Sequence, residues 1–244
     1  MTKPWQALEW DSAFFGMPVA RIQPGTRAAE LPEALSGLRA GGFGLAYWIL
    51  DRPDAARGQA ALTYGGQHVD EKTTFLASPA QVLAATGTVA AEVIETDGPA
   101  EALLPLAVAA GGSSRFRVDP RIGARHFEKL YATWLERSLR HELADAVFIT
   151  GAREAPTGFV TVGRKNERAD IGLIAVAEQA RGKGCGKALV VRAAAWARDA
   201  GHGAIQVVTQ GANREACALY ERCGFVKEAV NPVFHFWLQP ERHP

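Results

Sequence analysis

One segment limits the fold more than any other: residues 170–201, DIGLIAVAEQARGKGCGKALVVRAAAWARDAG. Its first part, 170–176, is short and apolar and predicts a strand. From Gly184 to Ala200 the apolar residues recur at helical spacing. Between the two lie Arg181, Gly182, Lys183, Gly184, Cys185 and Gly186. Alternating glycines remove side chains and let backbone N–H groups converge, and a helix start adds its own free N–H groups and partial positive charge. Arg181, Lys183 and Lys187 add full charges, so the segment reads as an anion cradle of the kind that suits a pyrophosphate. The spacing is not that of a P-loop, GxxxxGK[ST], and it lacks the first-strand position and downstream acid of a dinucleotide fingerprint. It fits R-x-x-G-x-G at Arg181, Gly184 and Gly186. A purely structural glycine turn stays open at this point.

A second segment, NREACALYERCGF, begins at Asn213. Asn213 is a natural N-cap, Ala216, Leu219 and Cys223 fall on one inner stripe, and Gly224 ends the helix before Phe225 opens the next strand. Tyr220 lies beside that stripe, either as core packing or aimed back at the glycine loop. Upstream, the spacing predicts a helix through Leu31, Leu35 and Leu38, with strands at 43–50 and 68–76. The small-residue run 78–88 reads as a linker, and 111–120, GGSSRFRVDP, as a polar loop. A strand near 89–95 and a helix near 100–110 lie between them. A helix at 122–140 carries Phe127, Leu130, Tyr131, Trp134 and Ser138 on one stripe. Strands at 146–150 and 158–164 are spaced to pair as a hairpin, and strands at 204–209 and 233–238 complete an α/β or α+β sheet with helices on its faces.

With 244 residues there is material for one large domain or two modest ones. A net charge of +1 offers no broad basic field for nucleic acid or an acidic membrane surface. No stretch approaches the roughly 18 apolar residues that span a bilayer. The N-terminal residues lack the apolar core of a signal peptide. The three cysteines, Cys185, Cys217 and Cys223, have no metal-ligand spacing, so no metal is expected and a reducing cytoplasm is the expected compartment.

The pair of segments, strand–RGKGCG–helix followed by N-x-x-A-x-x-L-Y-x-x-x-G-F, resembles the GNAT superfamily of acetyl-CoA-dependent N-acetyltransferases. The likeness spans about residues 88–238. It implies a GNAT fold, a central mixed sheet flanked by helices, at 88–244, behind a smaller α/β domain at 1–79. It also implies acetyl-CoA as co-substrate. The coenzyme pyrophosphate would lie on Arg181, Gly182, Lys183, Gly184, Cys185, Gly186 and Lys187. Its pantetheine arm would run along the strand containing Leu173, Ile174 and Val176, with Asn213 touching the cofactor. Tyr220 would protonate the departing thiolate, which a phenol is able to do for a thiol of pKa near 8.5.

A narrower likeness bears on the acceptor. The N-terminal W-D-S-x-F-F-G from Trp10 to Gly16, the S-R-F-R from Ser114 to Arg117, and L-Y-x-x-W at Leu130, Tyr131 and Trp134 are similar to dTDP-fucosamine acetyltransferases. That similarity implies an amine on a nucleotide-linked deoxysugar, feeding polysaccharide biosynthesis. Arg115 and Arg117 would face the nucleotide pyrophosphate, and Phe116, Tyr131 or Trp134 would stack on a base or sugar. Solvated arginines and core aromatics are the plainer alternative. No general base stands out; His126, Glu128 and Glu142 are candidates. A different small-molecule or protein amine, or a non-catalytic acyl-CoA-binding module, stays open as function, and a homodimer as assembly.

Overall fold

The computed structural model describes residues 3–239; Met1, Thr2 and 240–244, which fall within the expected domain ranges, lie outside the described residues. Contacts divide the chain into two units, 1–72 with 229–244, and 73–228.

The first unit contains β1 (Trp5–Ala7), α1 (Glu9–Phe15), β2 (Val19–Ile22), α2 (Leu31–Ala40), β3 (Leu45–Ile49), α3 (Ala55–Thr63) and the start of β4 (Gln67–Ala77). Its sheet is mixed. β1 pairs antiparallel with β2, and β2 pairs parallel with β3 along its whole length, from Val19↔Leu45 to Ile22↔Trp48. A parallel pair needs a crossover, and α2 supplies it. The expected stripe Leu31, Leu35 and Leu38 is buried against Ile22 and Trp48.

The second unit continues from β4 through α4 (Pro79–Thr86), β5 (Val93–Glu95), α5 (Ala100–Ala110), α6 (Arg115–Val118), α7 (Gly123–Leu139), β6 (Ala146–Ala152), β7 (Ala155–Lys165), β8 (Arg168–Val176), α8 (Cys185–Asp199), β9 (Ile205–Gln210) and α9 (Arg214–Arg222). Its strand order is β4-β9-β8-β7-β6-β5. β5 to β8 form an antiparallel run, and β8 pairs parallel with β9 across α8. Helix α8 covers one face through Leu189, Val190, Ala193 and Ala197, while α5 and α7 cover the other through Leu103, Leu106 and Leu135. The last strand, β10 (Val226–Trp237), begins here and crosses into the first unit, where Val233–Trp237 pair antiparallel with β3.

Two expectations need correction. The run 78–88 is not a linker: Ser78 Oγ accepts the Gln81 N–H at 3.1 Å, Gln81 Oε1 accepts the Ser78 N–H at 2.9 Å, and α4 follows with Val82 fully buried. Alanine is the strongest helix former, so small-residue composition here favoured helix. The expected loop 111–120 carries the short helix α6, because Phe116 is buried and draws the chain inward.

One irregularity shapes the rest. Along β7 and β8 the register steps from Val160↔Ile174 to Val162↔Ile171, so Thr161 faces both Gly172 and Leu173, a β-bulge. Thr161 Oγ1 accepts the Leu173 N–H at 2.8 Å, in place of the missing ladder bond. A Cβ on Gly172 would stand 2.8 Å from that oxygen. Replacing Thr161, only 2% exposed, with Val keeps the shape but orphans the Leu173 N–H. Urea denaturation of Thr161→Val should show a loss of about 1–3 kcal/mol; a loss below about 0.5 kcal/mol would mean that the hydroxyl does not hold the bulge.

Candidate functional site

The bulge sets the phase of the strand that leaves it. Ala177 donates its N–H to Thr157 O at 2.8 Å, so Ala175 and Ala177 turn their backbone groups toward β7. By alternation the N–H and C=O of Ile174 and Val176 turn the other way, toward β9. Pairing between β8 and β9 runs only over 169–171 with 205–207. Beyond it the two strands part, and the backbone edge of Ile174 and Val176 faces the gap. The side chains split as well: Leu173 and Ala175 pack on the α5–α7 face, Ile174 and Val176 on the α8 face.

At the mouth of that gap a 3₁₀ turn (Glu178–Ala180) leads into the glycine loop. Gly182 and Gly184 have φ of 74° and 84°, the left-handed region where other residues are strained, and no atom lies within 4 Å of where a Cβ would stand. The glycines here answer to backbone shape, with open space in front of them. Gly186 answers to packing, since its Cβ would meet Leu219 Cδ2 at 3.3 Å and Val176 Cγ2 at 3.7 Å. Helix α8 starts with no side-chain cap, which leaves the first-turn N–H groups of Cys185, Gly186 and Lys187 without an intrahelical acceptor. Arg181 and Lys183 are exposed and Lys187 half-buried. The Arg181 Nε donates to Val176 O at 3.4 Å, and its Nη1 lies 3.8 Å from the Glu215 carboxylate on α9. Both members of that ion pair are largely exposed, so it is weak and exchangeable.

Cys185 also lines a cleft of about 500 Å³ with Glu92, Ile94, Thr150 and Thr157. Burial raises the Cys217 and Cys223 thiols, the opposite of an activated nucleophile. Among the described residues no group of acids, histidines and cysteines is placed to hold a metal ion. Nor is any described helix long and apolar enough to cross a membrane.

Asn213 spends its side-chain oxygen on the cap, accepting the Ala216 N–H at 3.2 Å. Tyr220 follows Leu219, the residue that meets Gly186, and is itself 2% exposed. Its ring lies 5.7 Å from that of Phe75 and 5.9 Å from that of Phe225. Burial pushes its phenol well above the ordinary tyrosine value, with Cys217 and Cys223 adding to the shift.

The connection 111–122 lies at the same sheet end as the gap. Register links Thr150 to Gly158 and Gly158 to Val176, and α7 leads back to the opposite end, where β6 begins at Ala146. The Arg115 guanidinium lies 4.3 Å over the Phe116 ring, and that of Arg117 lies 5.5 Å over Phe127. A spacing of two on a helical turn aims side chains apart, about 200° around the axis. Tyr131 packs against Phe127 at 5.0 Å and Trp134 at 5.0 Å, and Trp134 meets Phe116 edge-on at 5.9 Å. Of the candidate bases, His126 and Glu128 are exposed on α7. Glu142 is held below its usual carboxylate value by Arg137 and Arg140, both at 2.8 Å. A carboxylate whose pKa is lowered is a weaker proton acceptor than a free one.

Sequence reasoning missed Thr161, Gly172 and Glu215. A glycine inside an apolar strand was the available signal for the bulge.

Residues 116–225 match the acetyltransferase (GNAT) family, a stretch inside the second unit that spans the bulge, the glycine loop and Tyr220. No protein of curated function matches the sequence. Among solved structures, a functionally unknown conserved protein from Staphylococcus epidermidis superposes with a TM-score of 0.66 at 12% identity, covering 91% of this chain and 86% of its own. A GCN5-related N-acetyltransferase from Kribbella flavida superposes with a TM-score of 0.60 at 16% identity, covering 96% and 87%. A tandem GNAT protein from the clavulanic acid biosynthesis pathway gives 0.58 at 15% identity, covering 93% and 77%. At these identities the structures speak to the fold.

The pKa directions yield a stability prediction. Tyr220, Cys217 and Cys223 all titrate higher in the folded chain than their ordinary values of 10.0 and 9.0. A raised folded pKa contributes stability that is present below the unfolded value and lost as pH rises through the folded one. Unfolding free energy should therefore fall from about pH 9 upward, and Tyr220→Phe should remove the part of that fall that sets in near pH 10. Equal alkaline slopes in the variant and the wild type, followed by urea titration, would show that the phenol is not buried as described.

Proposed function

We infer, from the GNAT match across the second unit, that this chain moves an acetyl group from acetyl-CoA to the amine of a nucleotide-linked amino sugar. The observation that carries the cofactor half is the parted edge of β8 at Ile174 and Val176, opening beside an uncapped, glycine-led helix start. Acetyl-CoA supplies the acetyl group as an activated thioester. The uncapped N–H groups of Cys185, Gly186 and Lys187, with Arg181 and Lys183, would hold its pyrophosphate. Leu173, Ile174 and Val176 would flank its extended arm, the last two offering backbone N–H and C=O groups. A backbone N–H on that edge would polarise the carbonyl. Asn213 would border the cofactor while capping α9.

Tyr220 is the proposed proton donor to the departing thiolate. Its raised pKa keeps the phenol protonated across the working range, so its proton is present at every turnover. The amine proton leaves to solvent, consistent with the weakness of Glu142 as a base. Sugar specificity rests on the S-R-F-R and L-Y-x-x-W likeness, which would give Arg115, Arg117, Tyr131 and Trp134 to the acceptor; Trp134 packs against both Phe116 and Tyr131.

The test is a screen of nucleotide-linked amino sugars, polyamines and peptide amines, read by thiol release from acetyl-CoA. Release that saturates with a nucleotide amino sugar and with no other class is expected; release only with another amine would remove the sugar. Tyr220→Phe keeps the ring and its packing, so kcat should fall by about 10²–10⁴-fold with acetyl-CoA affinity unchanged. A Phe variant retaining over half of kcat, with chemistry rate-limiting, would return Tyr220 to a packing role.

A further inference from the structure

The guanidinium of Arg181 has partners on both sides of the gap between β8 and β9. Its Nε donates to Val176 O, at the end of β8, at 3.4 Å, and its Nη1 stands 3.8 Å from the Glu215 carboxylate. Glu215 lies in the first turn of α9. That helix is joined to the end of β9 by a turn in which the Asn213 N–H donates to Gln210 O at 2.9 Å. The Arg181 side chain therefore reaches from the last residue of β8 to the segment that follows β9. The strands themselves pair only over 169–171 and 205–207, so this reach crosses the mouth of the gap they leave.

The charge pair adds little to the fold. Its separation is longer than a hydrogen bond, and the side chains are 55% and 85% exposed, so water and salt screen it. An acid in the first turn is favoured by the helix start whether or not Arg181 is near. What the two contacts do is occupy the site. Val176 O is a backbone group that β9 leaves unpaired, and Arg181 is a cation of the loop whose free N–H groups suit a pyrophosphate. Phosphate oxygens take an arginine bidentately and at shorter range than Glu215 does, so they are the stronger partner. An anion at the start of α8 thus draws Arg181 off Glu215, and Val176 O becomes available to an amide N–H of an extended arm.

We propose that Glu215 is a positioning residue of the cofactor site: it holds Arg181 across the mouth of the gap and competes with the coenzyme pyrophosphate for it. Release of Val176 O is then conditional on an anion at the α8 start. The proposal rests on the acetyl-CoA reading above.

The test is calorimetric titration of acetyl-CoA at low salt into the full chain, as wild type, Glu215→Gln, Arg181→Gln and the double variant. Glu215→Gln should bind about two- to five-fold tighter, the scale of one exposed ion pair. The gain should shrink at high salt. Arg181→Gln should bind more weakly than wild type, and in that background Glu215→Gln should add nothing. The Tm of ligand-free Glu215→Gln should not rise, because an acid is lost from a helix start. A purely structural Glu215 would lower Tm without tightening binding. Unchanged or weaker affinity in Glu215→Gln overturns the proposal. So does an equal gain in the Arg181→Gln background, which would mean that the acid repels the pyrophosphate directly. Wild type that binds no acetyl-CoA overturns the acetyl-CoA reading and this proposal together, whereas wild-type binding that Glu215→Gln leaves unaltered overturns this proposal alone.

Discussion

The bond from the Leu173 N–H to Thr161 Oγ1 is the small contact on which the site depends. It lets β8 carry an extra residue against β7, and the phase of everything after the bulge follows. Ile174 and Val176 then turn their backbone groups away from β7 just where β9 has stopped pairing. A sheet interior would normally satisfy those groups; here β9 has stopped pairing, and Val176 O instead accepts from the Arg181 Nε at 3.4 Å. The first unit offers a comparison within the same chain. Its parallel pair, β2 and β3, is zipped from Val19↔Leu45 to Ile22↔Trp48, with no gap. Its crossover helix begins with Pro32, which has no N–H, and with Glu30 and Glu33, whose charge repels an anion. The same β-α-β arrangement thus occurs twice; both crossover helices start without a side-chain cap, and only the second copy has an open edge beside that start.

Tyr220 is a core side chain to which the proposed function adds a chemical role. Its ring is part of the core with Phe75 and Phe225, and burial holds the proton on its oxygen. A phenol whose pKa is raised is a weaker acid than free tyrosine, so donation to a leaving thiolate of pKa near 8.5 requires that thiolate's charge to develop right beside it. Core packing is what the structure shows of Tyr220, and proton donation is the separate role that the Tyr220→Phe kinetics decide.

The segments most legible in the sequence were those where local chemistry and tertiary structure agree. Asn213 and Gly224 mark the limits of α9, and Gly184 marks the start of α8, because capping and left-handed backbone are local demands. The stripe of α7 was readable from Phe127, Leu130, Tyr131 and Ser138, all buried. Less legible were features decided by partners distant in sequence. Thr161 and Gly172 matter through the register between two strands, and a single glycine was their only trace. Helix α4 was hidden because its alanines resemble a linker until the Ser78–Gln81 capping pair is noticed. The far half of β10 pairs with β3, a partnership nearly the whole chain apart that no spacing announces.

The central claim is that coenzyme A binds along the open edge of β8 and across the start of α8. Amide hydrogen exchange with and without coenzyme A tests it most directly. The account predicts new protection at Ile174 and Val176 and over residues 182–187, with amides in the paired stretch 158–160 of β7 unchanged. Saturable binding of coenzyme A without protection at these amides, or with protection confined to other elements, would contradict it.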